Sequence, residues 1–438
     1  MLTKEENDII TQTGPGTPCG EFLRRYWQPV ALSEELPPGG APLPVRLLGE
    51  DLVLFRDDKD RPGLVGLHCS HRGADLSYGR AENGGLRCIY HGWLYDIHGR
   101  CLDQPGEPGG GERRDQIRHP AYPCHEAADI IFAYFGPGDP PLLPNYEGLR
   151  APKEHRFVRK FFQECNYLQA TEGNIDPVHQ SFLHRQLRGG DGQDEPMGTA
   201  GTHASNLTLY REDICPQIEV EAADFGLRIF ALRRSVPSAG EGKQWVKILN
   251  FVMPNLCFVP GEMGKDGYNI NWHVPIDDTH HWKWMITFSR SCPIDKEAFR
   301  VRYQEAVTPG YRPIRNQENR YLQDREQMKD QWFSGLGSYF PVHDVWATDS
   351  QGPIQDRTKE ILGYTDKAIT AVRRVMLRAI RGLQEGKEPP HVIHDPRKNR
   401  FPEIVVLSEV TQSSEDWRTC WRKKARANAL EAGLRVGL

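Results

Sequence analysis

The chain predicts an α+β protein, a small all-β domain followed by a larger domain built on an antiparallel sheet with helices around it. Three observations carry this. Between residues 42 and 137, short alternating runs (Pro44–Leu48, Leu52–Phe55, Leu64–Leu67) are punctuated by Gly, Asp and Pro, the rhythm of a small β domain. From Leu207 to Ser289 longer alternating runs recur, LTLYRED, RIFALRRSV, WVKILNFVM, YNINWHVPI and HHWKWMITF, as an antiparallel sheet requires. From Thr365 to Glu385, Ile369, Val372, Met376, Ile380 and Leu383 return every three or four positions, an amphipathic helix that packs on the sheet.

Residues 1–41 read as a helical entry segment. Thr3 followed by Glu6 fits a capping box, Gly14-Pro15-Gly16 breaks the helix, and Glu21–Tyr26 forms a second short one. Residues 42–137 form the β domain and 138–438 the second domain, within which 157–185 turn helical. The loop QPGEPGGGE at 104–112 is glycine-rich, but it does not follow a strand and open a helix as a dinucleotide fingerprint does. The Gly/Asp-rich stretch 189–202 is open between a lid and a surface loop. A net charge of -4 over 438 residues gives no electrostatic case for nucleic-acid binding. The basic stretch Arg418–Arg426 reads as a solvated helix face. No apolar run approaches the roughly 18 residues that span a bilayer, and MLTKEENDII lacks the pattern of a secretory signal. A cytoplasmic protein with its ten cysteines mostly reduced is therefore expected.

Two of those cysteines are interleaved with histidines. Cys69-Ser70-His71 is followed, after sixteen residues, by Cys88-Ile89-Tyr90-His91. Four such ligands could bind tetrahedral zinc, or a [2Fe–2S] cluster with both cysteines on one iron and both histidines on the other. A zinc site usually pairs its cysteines in one knuckle and its histidines in another. Here each knuckle supplies one of each, which suits two irons. Neutral imidazoles in place of thiolates raise the potential to roughly -150 to +300 mV, against about -400 mV for an all-cysteine plant-type cluster. Gly73 and Gly92 let the backbone approach the sulfides, Trp93 and Tyr95 shield the site, and the loop at 104–108 covers it. This pattern resembles the Rieske oxygenases and Rieske ferredoxins. Rieske proteins of respiratory complexes carry an extra cysteine in each loop and a membrane helix. The loops here read CSHRGA and CIYHGW, which disfavours that branch.

A ferredoxin needs only about 100 residues, and the chain runs on for some 300 more. The segment Glu172-Gly173-Asn174-Ile175-Asp176-Pro177-Val178-His179-Gln180-Ser181-Phe182-Leu183-His184 accounts for them. His179 and His184 lie five apart, about 140° around a regular helix, so a helix would have to distort or end there for both to bind one metal. Alone the pair could equally be two core or surface histidines. With a carboxylate it would make the facial triad that leaves positions open at Fe(II).

The resemblance supplies the rest, and LRRYWQPVA, NYLQATEGNIDPVHQSFLH, WHVPIDDTHHW and DSQGPIQDRTKEILGYTD extend it toward the phthalate dioxygenase-like branch. It implies a terminal oxygenase with a helix-grip (START-like) catalytic domain, a Rieske [2Fe–2S] cluster on Cys69, His71, Cys88 and His91, and a mononuclear Fe(II) on His179, His184 and Asp344. Asp344 comes from the family position within FPVHDVWATDSQGPI. By spacing alone Asp324, Asp330 and Asp349 compete with it. The resemblance also gives Asp176 the bridging role, bonded to His179 and to the neighbouring subunit's cluster histidine at the position of His91. Glu172 is open between the iron's surroundings and the framework. It implies O2 and an aromatic substrate, ring hydroxylation or O-demethylation, and a homotrimer or stacked trimers. A separate NAD(P)H-dependent reductase is implied too, since no flavin or nicotinamide motif is present. The alternative is an electron-transfer protein with a non-catalytic C-terminal domain. Arg228, Arg233 and Arg234 either face the pocket and pair a substrate carboxylate or lie on a solvated face.

Overall fold

Strand alternation sorts the chain into sheets with apolar cores, and the largest sheet also buries polar and charged side chains, among them Lys247, Asn271, His273 and Lys283. The computed structural model describes residues 1–187, 204–261 and 266–431, so the stretch 189–202 lies outside the described residues. There are two compact units, Gln12–Leu143 with Val274–Asp278, and Met1–Thr11 with Pro144–His273 and Thr279–Leu438.

The first unit holds three small antiparallel sheets. The strands Leu43–Leu47, Glu50–Arg56, Pro62–Gly66 and Ala121–Tyr122 make one, and Arg80–Glu82, Gly85–Arg87, Leu94–Asp96 and Cys101–Asp103 another. Within the stretch read as a helical entry, Trp27–Leu32 is a fully buried strand paired with Ile130–Tyr134. Val53, Phe55, Val65, Leu76, Leu86 and Tyr95 close a core around Cys69, Cys88 and Cys101.

The second unit is organised by an eight-stranded antiparallel sheet. Its strands run in the order Arg156–Gln163, His281–Phe288, Asn269–Pro275, Leu256–Val259, Lys243–Val252, Gly226–Arg233 and Gln217–Ala223, and Leu407–Gln412 pairs with the first half of Lys243–Val252. Two elements differ from the sequence expectation. Arg156–Gln163 is a strand, not a helix, because Phe157, Arg159, Phe161 and Gln163 alternate into the interior. LTLYRED lies mostly in the helix Ala204–Glu212, where the adjacent Leu209 and Tyr210 are both buried, as a strand facing one core would not allow. Thr3 and Glu6 exchange the two capping bonds that start the helix Lys4–Thr11. Lys367–Gln384 is the expected amphipathic helix, burying Ile369, Val372, Met376 and Ile380. Among the described residues no helix is long and apolar enough to cross a membrane.

The helix Tyr167–Ile175 carries Glu172 into a buried knot of charge. Glu172 accepts from Arg357 at 2.9 Å and from Arg373 at 2.6 Å; Arg373 also binds Glu360, and Arg357 reaches Asn7 of the opening helix. Glu172 thus belongs to the framework. Burial pushes its carboxyl up, but Arg357 and Arg373 outweigh it and hold it below its ordinary 4.5. Its stabilising contribution is present above that value and is lost as pH falls through the lower folded-state value. Glu172→Gln, which strands two buried guanidinium groups against one remaining carboxylate, is expected to cost about 3–5 kcal/mol at neutral pH. The deficit should narrow in acid. Urea denaturation at several pH values checks this, and an unchanged midpoint refutes it.

Candidate metal centres and the adjoining cavity

The two knuckles of the first unit are built alike. Gly73 N donates to Cys69 O at 2.8 Å and Gly92 N to Cys88 O at 3.0 Å, while Cys69 N reaches Ala74 O and Cys88 N reaches Trp93 O, both at 2.8 Å. Each turn needs a left-handed residue, and Gly73 (φ +73°) and Gly92 (φ +78°) supply it. A Cβ on Gly92 would come within 2.6 Å of Pro105, so the proline loop does lie over this knuckle. The His71 and His91 rings are 4.5 Å apart, and Trp93 stacks flat on His71 at 4.5 Å. Tyr95, buried beneath, lies 3.2 Å from Cys69 Sγ through its hydroxyl. The donor set fits a cluster. His71 Nδ1 is buried with no protein partner. Cys88 sits in an apolar core with its thiol pushed up by burial and by the neighbouring Cys69, while the backbone N–H groups of Tyr90 and His91 face its sulfur. Two adjacent sulfurs in an apolar core, one facing backbone N–H groups and the other the Tyr95 hydroxyl, are what cationic iron neutralises.

In the second unit the five-residue histidine spacing is resolved by ending the helix. Tyr167–Ile175 stops at Asp176, whose backbone is extended, Pro177 follows, and His179–Ser181 makes one 3₁₀ turn. His184 then comes back beside His179, ring centroids 5.1 Å apart. The helix Phe340–Asp349 brings Asp344 to them. Asp344 Oδ1 lies 3.1 Å from His184 Nε2 and 3.9 Å from His179 Nε2, and one ligand atom from each of the three falls within 4.8 Å of the others. The competing aspartates are elsewhere engaged. Asp324 accepts the backbone N–H groups of Glu326 and Gln327, Asp330 ends the helix Gln327–Asp330, and Asp349 is buried beside Cys165 with its carboxyl pushed up to about 7.

The surrounding bonds orient the ligand rings. His343 Nε2 lies 2.9 Å from Gly337 O, and its Nδ1 lies 3.1 Å from both Leu183 O and His184 Nδ1. Burial, with His184 beside it, pushes His343 down to about 3, so the ring is neutral with one N–H for these neighbours. With its Nδ1 turned to His343, His184 presents Nε2 to Asp344, the nitrogen a metal would take. Burial raises the Asp344 carboxyl, but Lys283, 3.3 Å from Oδ2, and His184 hold it well below the usual range. Asp176 accepts from Val178 N at 2.8 Å and His179 N at 3.2 Å, and its Oδ2 lies 3.4 Å from His179 Nδ1. Burial raises its carboxyl, yet His179 and these N–H groups outweigh burial and keep it ionised below its ordinary 3.8.

A cavity opens beside the triad, walled by Lys247, Lys283, Asn271, Leu249, Met285 and Phe340 among others. A larger cavity of about 540 Å³ lies on the opposite face of the same sheet, since adjacent residues Phe258 and Val259 line one each, and among the described residues it is lined by no metal-ligand set. Lys247 is 4% exposed, and its ammonium donates to Gln180 Oε1 at 2.5 Å and Tyr210 OH at 2.6 Å. The arginines considered from sequence do not reach this cavity. Arg228 lies 3.6 Å over Trp421, Arg234 is exposed, and Arg233 is buried, donating to Pro177 O at 3.0 Å and Ser181 Oγ at 3.2 Å, so it pins the loop that presents His179. Lys247, Lys283 and His343 went unnoticed in the sequence. The available signal was a lysine inside each of the apolar runs WVKILNFVM and HHWKWMITF, since a cation buried in a core strand needs a reason.

Fold and sites together define a Rieske-type terminal oxygenase, and comparison with known proteins agrees. The family described as "Rieske [2Fe-2S] domain" matches residues 26–122, and the one described as "LigXa C-terminal domain like" matches residues 133–434. The chain is 36% identical to the phthalate 4,5-dioxygenase oxygenase subunit of Pseudomonas putida, over 95% of this chain and 94% of that one. It is 33% identical to the 5,5'-dehydrodivanillate O-demethylase oxygenase subunit of Sphingobium sp., over 91% and 85%. The oxygenase in the carbazole-bound complex with ferredoxin of carbazole 1,9a-dioxygenase shares the fold, with a TM-score of 0.56 and 21% identity over 89% of this chain and 99% of that one. The chain belongs to the oxygenase subunits of the Rieske non-haem iron oxygenases, whose cofactors are a [2Fe–2S] cluster and a mononuclear iron. It is an enzyme of a multicomponent system that takes electrons from a ferredoxin or reductase.

Proposed function

We propose that Cys69, Cys88, His71 and His91 hold the cluster, that His179, His184 and Asp344 hold the iron, and that the substrate is a carboxylated aromatic whose carboxylate meets Lys247. When bound, these groups supply single electrons and dioxygen activation at an iron with open positions. The chain's own residues do the positioning. His343 and Lys283 orient His184 and Asp344, Arg233 holds the backbone on which His179 stands, and Leu249, Met285 and Phe340 give the ring apolar walls.

The observation that carries the substrate class is Lys247, a buried ammonium at the wall of the cavity with two neutral acceptors and, among the described residues, no carboxylate bonded to it. A buried cation calls for a counter-ion, and a ligand carboxylate provides it. The Pseudomonas relative is named for phthalate and the Sphingobium relative for dehydrodivanillate, both aromatic carboxylates. Burial, with Arg233 nearby, pushes Lys247 down to about 7. Above that pH the empty site loses its charge, so the KM for an aromatic acid is expected to rise on the alkaline side. Lys247→Met is expected to raise KM about ten- to a hundred-fold with kcat little changed, the size of one charge-assisted bond, and to flatten that rise. Oxygen uptake with a panel of aromatic acids and a matched reductase, followed together with formaldehyde release, separates ring hydroxylation from O-demethylation. Coupled uptake with none of the acids would sink the substrate class.

The partner proposed is a separate NAD(P)H-dependent reductase, acting directly or through a ferredoxin. We also infer a homotrimer, or stacked trimers, with each cluster beside a neighbour's iron site. Supporting this, Tyr78, Ile89 and Tyr90 are large apolar side chains at the cluster knuckles that stand exposed, and Asp176 is half-buried on the iron side. Ten free cysteines accord with a cytoplasmic setting.

A further inference from the structure

A line of polar side chains runs from the cavity wall into the interior of the second unit. His281 Nδ1 lies 2.8 Å from the Cys165 carbonyl, His281 Nε2 lies 3.4 Å from His273 Nδ1, and His273 Nε2 lies 3.0 Å from an amide atom of Asn174. That same amide atom lies 2.8 Å from an amide atom of Asn271. Neither histidine is exposed at all, and Asn271, which lines the cavity, is 4% exposed. The other amide atom of Asn271 is buried with no protein partner.

The hydrogens along this line can be assigned from its fixed end. A carbonyl only accepts, so His281 Nδ1 carries a hydrogen. Burial disfavours a second one, pushing His281 down to about 3 and His273 well below the ordinary range. A neutral imidazole has one N–H. His281 Nε2 is then a bare acceptor, His273 donates to it from Nδ1, and His273 Nε2 is bare in turn. The Asn174 atom facing that nitrogen has to be its NH2, and the Asn271 atom facing the same NH2 has to be oxygen. Amide oxygen and nitrogen exchange by a half-turn of the side chain that leaves the fold untouched.

We infer that His273 and His281 are positioning residues that lock the amides of Asn174 and Asn271 in this sense, so that Asn271 presents an N–H donor to the cavity and thereby selects a ligand acceptor. The opposite polarity would put an amide oxygen there and would require either a doubly protonated His281 or two bare nitrogens facing each other at 3.4 Å. With Lys247 and Lys283, the donor makes this wall a recogniser of carboxylate, phenolate or ether oxygen. The identity of the ligand rests on the aromatic-acid reading above; the polarity of the line does not.

Neutron diffraction from deuterium-exchanged crystals of the holoenzyme tests the polarity directly. Deuterium is expected on Nδ1 of His273 and of His281, with both Nε2 atoms bare. A deuteron on His273 Nε2 overturns the inference. The kinetic arm is Asn271→Asp, which keeps the bond from Asn174 but turns the cavity-facing donor into a carboxylate oxygen. KM for an aromatic acid turned over by the parent enzyme is expected to rise by about ten-fold or more, with kcat and the cluster absorbance retained. An unchanged KM overturns the donor role. Should no aromatic acid be a substrate, the neutron result still stands or falls alone, which separates the two failures.

Discussion

His184→Ala is expected to empty the mononuclear site, lowering coupled turnover by about a thousand-fold or more while the cluster survives. His184 is the best-determined of the three proposed ligands. Its Nδ1 is turned to His343, its ring lies against Phe340 at 4.5 Å, and its Nε2 stands 3.1 Å from Asp344. Removing that imidazole leaves one histidine and one carboxylate, two ligands where the triad has three. Asp344, held by Lys283, would then lean on that lysine. Iron should fall from about three per chain to about two, with acid-labile sulfide and the reduced cluster's EPR signal unchanged. Retention of the third iron with normal turnover would defeat the ligand assignment. His343→Leu should be milder, about ten- to a hundred-fold in iron affinity, because it removes the partner that orients the ligand and not the ligand itself.

How much of this was legible in the chain follows from where each ligand lies. The cluster knuckles could be read because all four donors sit in two short loops, each with its glycine at the position that needs a positive φ. His179 and His184 could be paired, and the broken helix between them anticipated, because five residues do not fit a helical turn. Asp344 could not be found by spacing. Its helix reaches the histidines only through the fold, and a family position had to supply it. The lysines were hidden for a related reason. Buried cations blur alternation, as in Arg156–Gln163, where Lys160 lies 4.5 Å from the Trp282 ring and 4.7 Å from that of Tyr311 inside the core. The same effect made that strand read as a helix. The three strand arginines were the natural candidates for a carboxylate site, and burial decided otherwise by spending Arg228 and Arg233 on backbone carbonyls.

Asp176→Asn is expected to leave both metal centres loaded and to collapse the coupling between them. Val178 N donates to one oxygen of this carboxylate and His179 N to the other, so the amide of asparagine keeps one bond and loses the second; Arg233, bonded to Pro177 O and Ser181 Oγ, still pins the loop. The variant also loses charge. An anion 3.4 Å from His179 Nδ1 favours the hydrogen on that nitrogen and strengthens the ring as a donor through Nε2. A neutral amide does neither, and it would bond more weakly to the second imidazole that the proposed trimer brings from a neighbouring subunit. Reductase should therefore reduce the cluster at the parent rate, while reoxidation of the reduced cluster on mixing with substrate and O2 slows by about a hundred-fold or more. Stopped-flow absorbance at the cluster bands reads this in one turnover, where a general folding defect would also bleach the bands. Parent-like reoxidation in the variant would remove Asp176 from the proposed path.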